Sequence, residues 1–328
     1  MLDPKNIWMA MAAFALVLFG WKAFNPPSAD TGEPYAVVAN GYGADMRLEK
    51  INRAQCTGSG DRIWLTHKDG NDCVTVILPP SLKGSDKAAE TAIVFIDGDV
   101  PDSEQSVTGD ERSRATYKRI TETLSDKFGV PLLVLARPGV LGSSGVHMAG
   151  GRRDDVHVID AAIDDLKRRF GFKRIVVAGQ SGGSRMIAQL LVMGRRDIAC
   201  GVMGSGAYDV PTLRSGGRTN TNIFGDPGRR FLVPMMHTQD IAVVPNRRLF
   251  VIGDKRDEIT LFDEQQAWAT KLDSLGHHVV LVEAEAKDDK HHGVTRATLE
   301  AAGLCAQGKP DAEIVTAAGK RLALVRQP

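Results

Sequence analysis

Two hydrophobic patterns divide the chain. Between residues 35 and 80, apolar and polar positions alternate in YAVVANGY, MRLEKINR, DRIWLTHK and CVTVILPP, with turn signals at Asp69-Gly70 and Pro79-Pro80. Alternation of this kind predicts half-buried antiparallel strands. From residue 91 the pattern becomes one of short continuous apolar runs. These are TAIVFIDGD (91–99), PLLVLARPG (131–139), RIVVAG (174–179), ACGVMGSG (199–206), RRLFVIGD (247–254) and HHVVLVEAEA (277–286). Runs of that length predict strands buried on both faces.

Helical spacing lies between the runs. Val156, Ile159, Ile163, Leu166 and Phe170 repeat at helical intervals behind Asp154 and Asp155. Met186, Ile187, Leu190 and Leu191 form one face of a second helix; Trp268, Leu272 and Leu275 form one face of a third, stopped by Gly276. Strands alternating with helices predict an α/β fold with a mostly parallel central sheet flanked by helices. Residues 207–246 break the rhythm. They carry many turn formers and are too long for a plain connection, which predicts a small lid or substrate-facing insertion. Residues 310–328 carry no assignable pattern.

The first 34 residues stand apart. Ile7–Trp21 is a run of 15 residues with no charge, between the length of a signal-peptide core and that of a full span, and NPPSADTGEP follows it as a linker. We read 1–34 as an anchor or signal segment, with an uncleaved membrane anchor preferred to a cleaved peptide, and 35–328 as one domain. The expected location is therefore exported: anchored and facing an oxidising compartment, or periplasmic or secreted. Four cysteines fit that reading. Cys56 and Cys73 flank a predicted hairpin; Cys200 opens a strand and Cys305 ends the last predicted helix. The expected pairs are Cys56–Cys73 and Cys200–Cys305, against the alternative of four buried thiols.

Composition excludes some classes. A formal net charge of +1, 6% aromatic residues and no long basic stretch give no footprint for nucleic acid. No Cys/His spacing suggests zinc, and the adjacent His291 and His292 have no partners at metal-ligand spacing. No metal or organic cofactor is expected.

The candidate chemistry centres on GQSGG, residues 179–183. A dinucleotide loop would need a second glycine where Ser181 stands, and a phosphate loop would need a lysine before Ser184. The remaining reading is G-x-S-x-G, a sharp strand-to-helix turn that holds a serine in a strained conformation with its hydroxyl exposed; a glycine-rich turn with an incidental serine is the bland alternative. An open parallel sheet gathers its site at the carboxyl ends of its strands. The strand at 247–254 ends at Asp254 and Asp257, and the strand at 277–286 is followed by KDDKHHG with His291 and His292. His277 and His278 read as structural, and Asp288 and Asp289 as solvated turn residues.

With FIDGD (95–99), RPGVLGSSG (137–145), GQSGG (179–183), GDKRDE (253–258) and KHHG (290–293) in that order, residues 88–305 resemble the α/β-hydrolase superfamily, on its serine-hydrolase side. The elbow and the acid–helix–His tail are most similar to the prolyl-oligopeptidase-related and dienelactone-hydrolase-like branches. The chain departs from them at Asp97, where many members carry a His, and fewer than 90 residues precede the domain, too few for a propeller. The resemblance implies Ser181 as nucleophile, Asp257 as acid with Asp254 the alternative, and His292 as base with His291 the alternative. It implies an oxyanion hole from the backbone N–H groups of Gly182 and Asp99, with Gly98 second to Asp99. RPGVLGSSG then shapes the pocket floor, in preference to binding phosphate. The expected activity is cleavage of an ester or related acyl bond through an acyl-serine intermediate. A prolyl-oligopeptidase-like peptidase and a non-catalytic binding member of the fold are the alternatives. The expected partner is a small-molecule ester or peptide.

Overall fold

The computed structural model describes residues 52–57, 61–68, 70–82, 89–99, 114–145, 153–209, 214–215, 218–219 and 232–324. The hydrophobic segment Ile7–Trp21 and the predicted strand YAVVANGY lie outside them. No helix among the described residues is long and apolar enough to cross a membrane.

The strands are β1 (Arg62–His67), β2 (Gly70–Ile77), β3 (Thr91–Ile96), β4 (Leu132–Leu135), β5 (Arg174–Gln180) and β6 (Ile198–Gly204). They continue as the two-residue β7 (Arg214–Ser215) and β8 (Arg218–Thr219), then β9 (Arg248–Gly253), β10 (Val279–Glu283) and β11 (Lys320–Leu322). The helices are α1 (Arg53–Thr57), α2 (Arg114–Phe128), α3 (Arg153–Phe170), α4 (Gly182–Val192), α5 (Phe262–Ser274), α6 (Thr295–Ala306) and α7 (Asp311–Ala318). Nine strands form one sheet in the order β1-β2-β4-β3-β5-β6-β9-β10-β11, while β7 and β8 pair with each other. Strands β4, β3, β5, β6, β9 and β10 are parallel. The pairs β1–β2, β2–β4 and β10–β11 are antiparallel. From β3 the chain steps to β4 on one side, then returns to lay β5 on the other. The sheet order therefore reverses between β3 and β5, which is where open α/β sheets open a crevice.

The apolar runs are buried on both faces, as their continuity requires. Val94, Val177, Val251 and Leu281 face α3, α4 and α5, which contribute Ile159, Leu190 and Trp268. Ile93, Val176, Phe250 and Val280 face α2, α6 and α7, which contribute Tyr117, Leu299 and Ile314. Each such side chain contributes about 1.5–3 kcal/mol when withdrawn from water.

Both expected disulfides are present, Cys56–Cys73 with its Cα atoms 5.7 Å apart and Cys200–Cys305 with 6.6 Å. The second ties β6 to α6.

Some expectations are corrected. Arg53 was expected to end a strand but begins α1. Asn52 N donates to Gln55 Oε1 and Gln55 N to Asn52 Oδ1, both at 2.9 Å, and this reciprocal cap nucleates a helical turn. The unpatterned tail contains α7 and the edge strand β11. The insertion at 207–246 is anchored in the core at its ends. Tyr208 is fully buried and stacks on Trp268 at 4.8 Å, and Leu232 and Ile241 are also buried. A 3-10 segment, Pro234–Asp240, lies between those last two.

Candidate active site

The elbow follows from how tightly β5, α4 and β3 are packed. A methyl group on Gly179 would lie 2.5 Å from the Gly183 carbonyl carbon and 2.7 Å from Ser184 N. One on Gly183 would strike the Ile96 carbonyl. Only glycine lets the strand end and the helix start cross so closely. Ser181, between them, has φ 52° and ψ −116°, a conformation that side-chain-bearing residues rarely adopt and that costs on the order of 1–3 kcal/mol. Its backbone is pinned by the bond from Ser181 N to Gly204 O at 2.8 Å. Ser184 Oγ lies 2.7 Å from the carbonyls of both Gly179 and Gly204. A serine before a helix ordinarily caps it with its hydroxyl. Here Ser181 makes no side-chain cap bond, so the first donors of α4 are not consumed by it.

The loop after β3 passes over Ser181. A methyl group on Gly98 would lie 3.1 Å from Ser181 Cβ. The Asp97 carboxylate accepts from Tyr117 Oη and, at 2.7 Å, from Gly98 N–H. That occupies the Gly98 donor and favours Asp99 over Gly98 as the second donor of an oxyanion hole. The Asp99 carboxylate is itself held by two buried arginines: Arg137 Nη1 on Oδ1 and Arg185 Nη2 on Oδ2, the latter at 3.2 Å.

Asp257 and His292 meet at the ends of β9 and β10. His292 Nδ1 lies 3.0 Å and 3.1 Å from the two oxygens of Asp257. The carboxylate only accepts, so Nδ1 carries the proton and Nε2 keeps its lone pair. Asp257 also accepts from Ile259 N at 2.8 Å, Thr260 N at 2.9 Å and Thr260 Oγ1 at 2.9 Å. Ser181 Oγ and His292 Nε2 make no hydrogen bond among the described residues. What links the two loops is Gln180, whose side-chain amide donates to the His292 carbonyl at 2.8 Å.

The neighbouring candidates are used elsewhere. Asp254 accepts from Arg256 Nη2 at 2.8 Å, Arg256 N at 2.9 Å and Ala286 N at 3.0 Å. The Arg256 side-chain bonds, foremost, hold its carboxyl far below the ordinary range. His291 has φ 53°, and its Nδ1 comes within only 4.0 Å of Asp254. His278 pairs with Asp311 at 2.6 Å, and burial pushes the His277 imidazole below its ordinary value.

Two residues went unrecognised in the sequence. Asp288, expected as a solvated turn residue, accepts from His292 N at 3.1 Å and Gly293 N at 2.5 Å and so holds the loop that carries His292. Partial burial pushes its carboxyl up, but those backbone bonds outweigh it and hold it below the ordinary value. Thr260 buttresses Asp257, its hydroxyl 3.0 Å from the Ser205 carbonyl. An acidic residue four positions before a His–Gly pair, and a threonine three after an acid, are signals too short to separate from ordinary turns.

RPGVLGSSG spends its hydroxyls on the sheet. Ser143 Oγ accepts from Thr75 N at 3.0 Å, and Ser144 Oγ from Cys73 N at 2.8 Å. Ser144 Oγ also donates to Asp72 at 2.5 Å, and both serines are buried. Among the described residues, no group of three His, Cys, Asp or Glu side chains could hold a metal.

No protein-family profile matches the sequence, and no curated protein matches it either. Solved structures do resemble the fold. Est1E from Butyrivibrio proteoclasticus, determined with ferulic acid bound, superposes with a TM-score of 0.52 at 15% identity, over 75% of this chain and 98% of that one. The chain has the α/β-hydrolase fold. The esterase Pf2001 of Pyrococcus furiosus matches with a TM-score of 0.48 at 20% identity, over 68% of this chain and 82% of its own. The acylaminoacyl peptidase of Pyrococcus horikoshii matches with 0.45 at 16%, over 73% of this chain and 38% of its own. The matched region thus spans well under half of the peptidase.

Proposed function

We propose that the protein is a serine hydrolase that cleaves an ester or related acyl bond through an acyl-Ser181 intermediate, with His292 as base and Asp257 as acid. The observation that carries this reading is a strained serine with a free hydroxyl at the sheet's reversal point, next in sequence to Gln180, whose amide reaches the loop of a histidine held at Nδ1 by a buried carboxylate. Serine is a weak nucleophile until a base takes its proton. The imidazole tautomer set by Asp257 leaves Nε2 free to do so, and the carboxylate stabilises the imidazolium that forms. In an unliganded site such bonds are often unmade and tighten only around substrate. As Ser181 Oγ attacks, the substrate carbonyl oxygen becomes an oxyanion. The backbone N–H groups of Gly182, at the start of α4, and of Asp99 receive it. His292 then protonates the departing alcohol, and a water molecule repeats the sequence to free the acid.

The two disulfides support an oxidising compartment and hence the exported reading. We keep 1–34 as anchor or signal segment and 207–246 as substrate-facing. The structural neighbours include esterases and a peptidase, which supports small-molecule or peptide substrates. The test is a panel of p-nitrophenyl esters of rising chain length beside aminoacyl amides, with Ser181→Ala as control. Ester turnover that disappears in the folded variant is expected. Amide turnover alone would make the protein a peptidase, and no turnover with either would leave a binding protein of the same fold.

A further inference from the structure

The geometry points to Arg137 and Arg185 as positioning residues of the oxyanion hole: they clamp the Asp99 side chain so that its backbone N–H stays aimed at the tetrahedral oxygen, and they cancel a carboxylate charge that would otherwise stand beside that oxygen. This rests on the serine-hydrolase reading above.

Three observations carry it. The first is proximity. A methyl group on Gly182 would lie 2.6 Å from Arg137 Nη1 and 2.7 Å from Asp99 Cγ. The ion pair therefore packs directly on the residue that supplies the other oxyanion donor, which explains why position 182 is glycine although its φ is not in the left-handed region. The second is the loop itself. Asp99 is the donor residue, so whatever fixes its side chain also fixes the direction of its N–H. With Asp97 tied to Tyr117, the loop is held at both ends of its short described stretch. The third is cost. The Arg137 and Arg185 side chains are 2% and 1% exposed, and Arg137 Nε and Nη2 and Arg185 Nε are buried without a hydrogen-bond partner among the described residues. Burial pushes the Arg185 guanidinium below its ordinary value, with Asp99 opposing. Replacing such a buried ionic cluster with apolar groups is often neutral or stabilising, so stability gives no reason to retain it. Its place against Gly182 does. An aspartate in this loop puts a negative charge where negative charge must develop, and catalysis there requires the two guanidiniums.

The test is a double-mutant cycle on the full, oxidised protein, with the best ester from the panel. Arg137→Gln should lower kcat by about 10²-fold, the scale of losing one oxyanion donor, with KM within about threefold. Affinity for a trifluoromethyl ketone, which needs the hole once it adds to Ser181, should fall in parallel. Adding Asp99→Asn should return at least about tenfold of the lost kcat, because it removes the carboxylate charge that Arg137 no longer offsets. A merely structural cluster would move KM and kcat together with the folded fraction, or give a double variant that is the product of the singles; either result overturns the proposal. Should Arg137→Gln fail to fold, Arg137→Lys keeps the charge but not the planar guanidinium that brings Nη1 to Asp99 Oδ1. It should still lose about tenfold in kcat, and an unchanged kcat would overturn the idea. If the wild type itself turns over no ester, the serine-hydrolase reading fails first and separately.

Discussion

Replacing Gly179 by alanine tests the packing on which the elbow depends. The position is the penultimate residue of β5, and its φ is not left-handed, so alanine meets no backbone penalty there. The whole cost is contact. The new methyl would sit 2.5 Å from the Gly183 carbonyl carbon, 2.7 Å from Gly183 O and 2.7 Å from Ser184 N. Carbon atoms pack comfortably at about 3.5–4.0 Å, so β5 and the start of α4 must part by about 1 Å. All three opposing atoms are backbone, and no side-chain rotation relieves them. Overpacking typically costs about 1–3 kcal/mol, and a backbone-only clash belongs at the top of that range. The restricted unfolded chain returns about 0.4–1 kcal/mol, leaving a net loss of about 2–3 kcal/mol. For a domain of this size that lowers Tm by roughly 4–10 °C. The second effect is on Ser181, which follows two residues later. A displacement of about 1 Å at the nucleophile should cost about 10²-fold in kcat. The assay is a thermal melt of the oxidised protein together with kcat on the best ester. Gly129→Ala is the control: its φ is +64° with nothing within 4 Å, so it should cost about 1–2 kcal/mol and leave kcat unchanged. A Gly179→Ala protein with Tm within about 2 °C of wild type and kcat within threefold would refute the elbow geometry.

Other outcomes follow from the same contacts. His292→Ala should lower the acylation rate by about 10²–10⁴-fold, whereas His291→Ala should cost far less; the reverse order in burst kinetics would exchange their roles. Ser181→Gly should abolish turnover yet raise stability by about 1–3 kcal/mol, because glycine relieves the φ of 52°; an unchanged or lower melting temperature would contradict stored strain. Asp254 has a carboxyl pKa depressed by Arg256, so its contribution is present above the ordinary carboxylate pKa of about 3.9 and lost as pH falls below it. Urea titrations should show wild type more stable than Asp254→Asn at pH 7, with the gap closing below about pH 4; a gap independent of pH would remove the assignment. Opening Cys56–Cys73 should cost about 3 kcal/mol and Cys200–Cys305 over 4 kcal/mol in the chain-entropy account, read as Tm of serine variants against wild type.

The sheet was legible because its strands carry their own signal. Continuous apolar runs such as RIVVAG are buried on both faces, and their shortness between turn signals separates them from a buried helix such as α4. Helix α2 was missed for the opposite reason. Its buried face consists of Arg114, Tyr117, Thr121, Ser125 and Phe128, and a hydrophobic period cannot appear where the inward residues are polar. Strand β11 is KRL at the sheet edge, exposed or half-buried throughout, so it has no alternation to read. At the site, the order Ser, Asp, His pointed to the residues that gather at the carboxyl ends of the strands. Choosing between Asp254 and Asp257 took the distance to His292, because both follow the same strand. Asp288 and Thr260 were hidden because their contacts are local and look like ordinary turns, and the Arg137–Asp99–Arg185 cluster because its contacts are far apart in sequence. A buried arginine in particular runs against every expectation a sequence supports.

The central claim is that Ser181 is an activated nucleophile. The most direct measurement is labelling of the oxidised, folded protein with a fluorophosphonate, followed by peptide mapping. One stoichiometric adduct on Ser181 is expected, absent in Ser181→Ala. No adduct on the folded protein, an adduct on another serine, or labelling that survives in Ser181→Ala would contradict it.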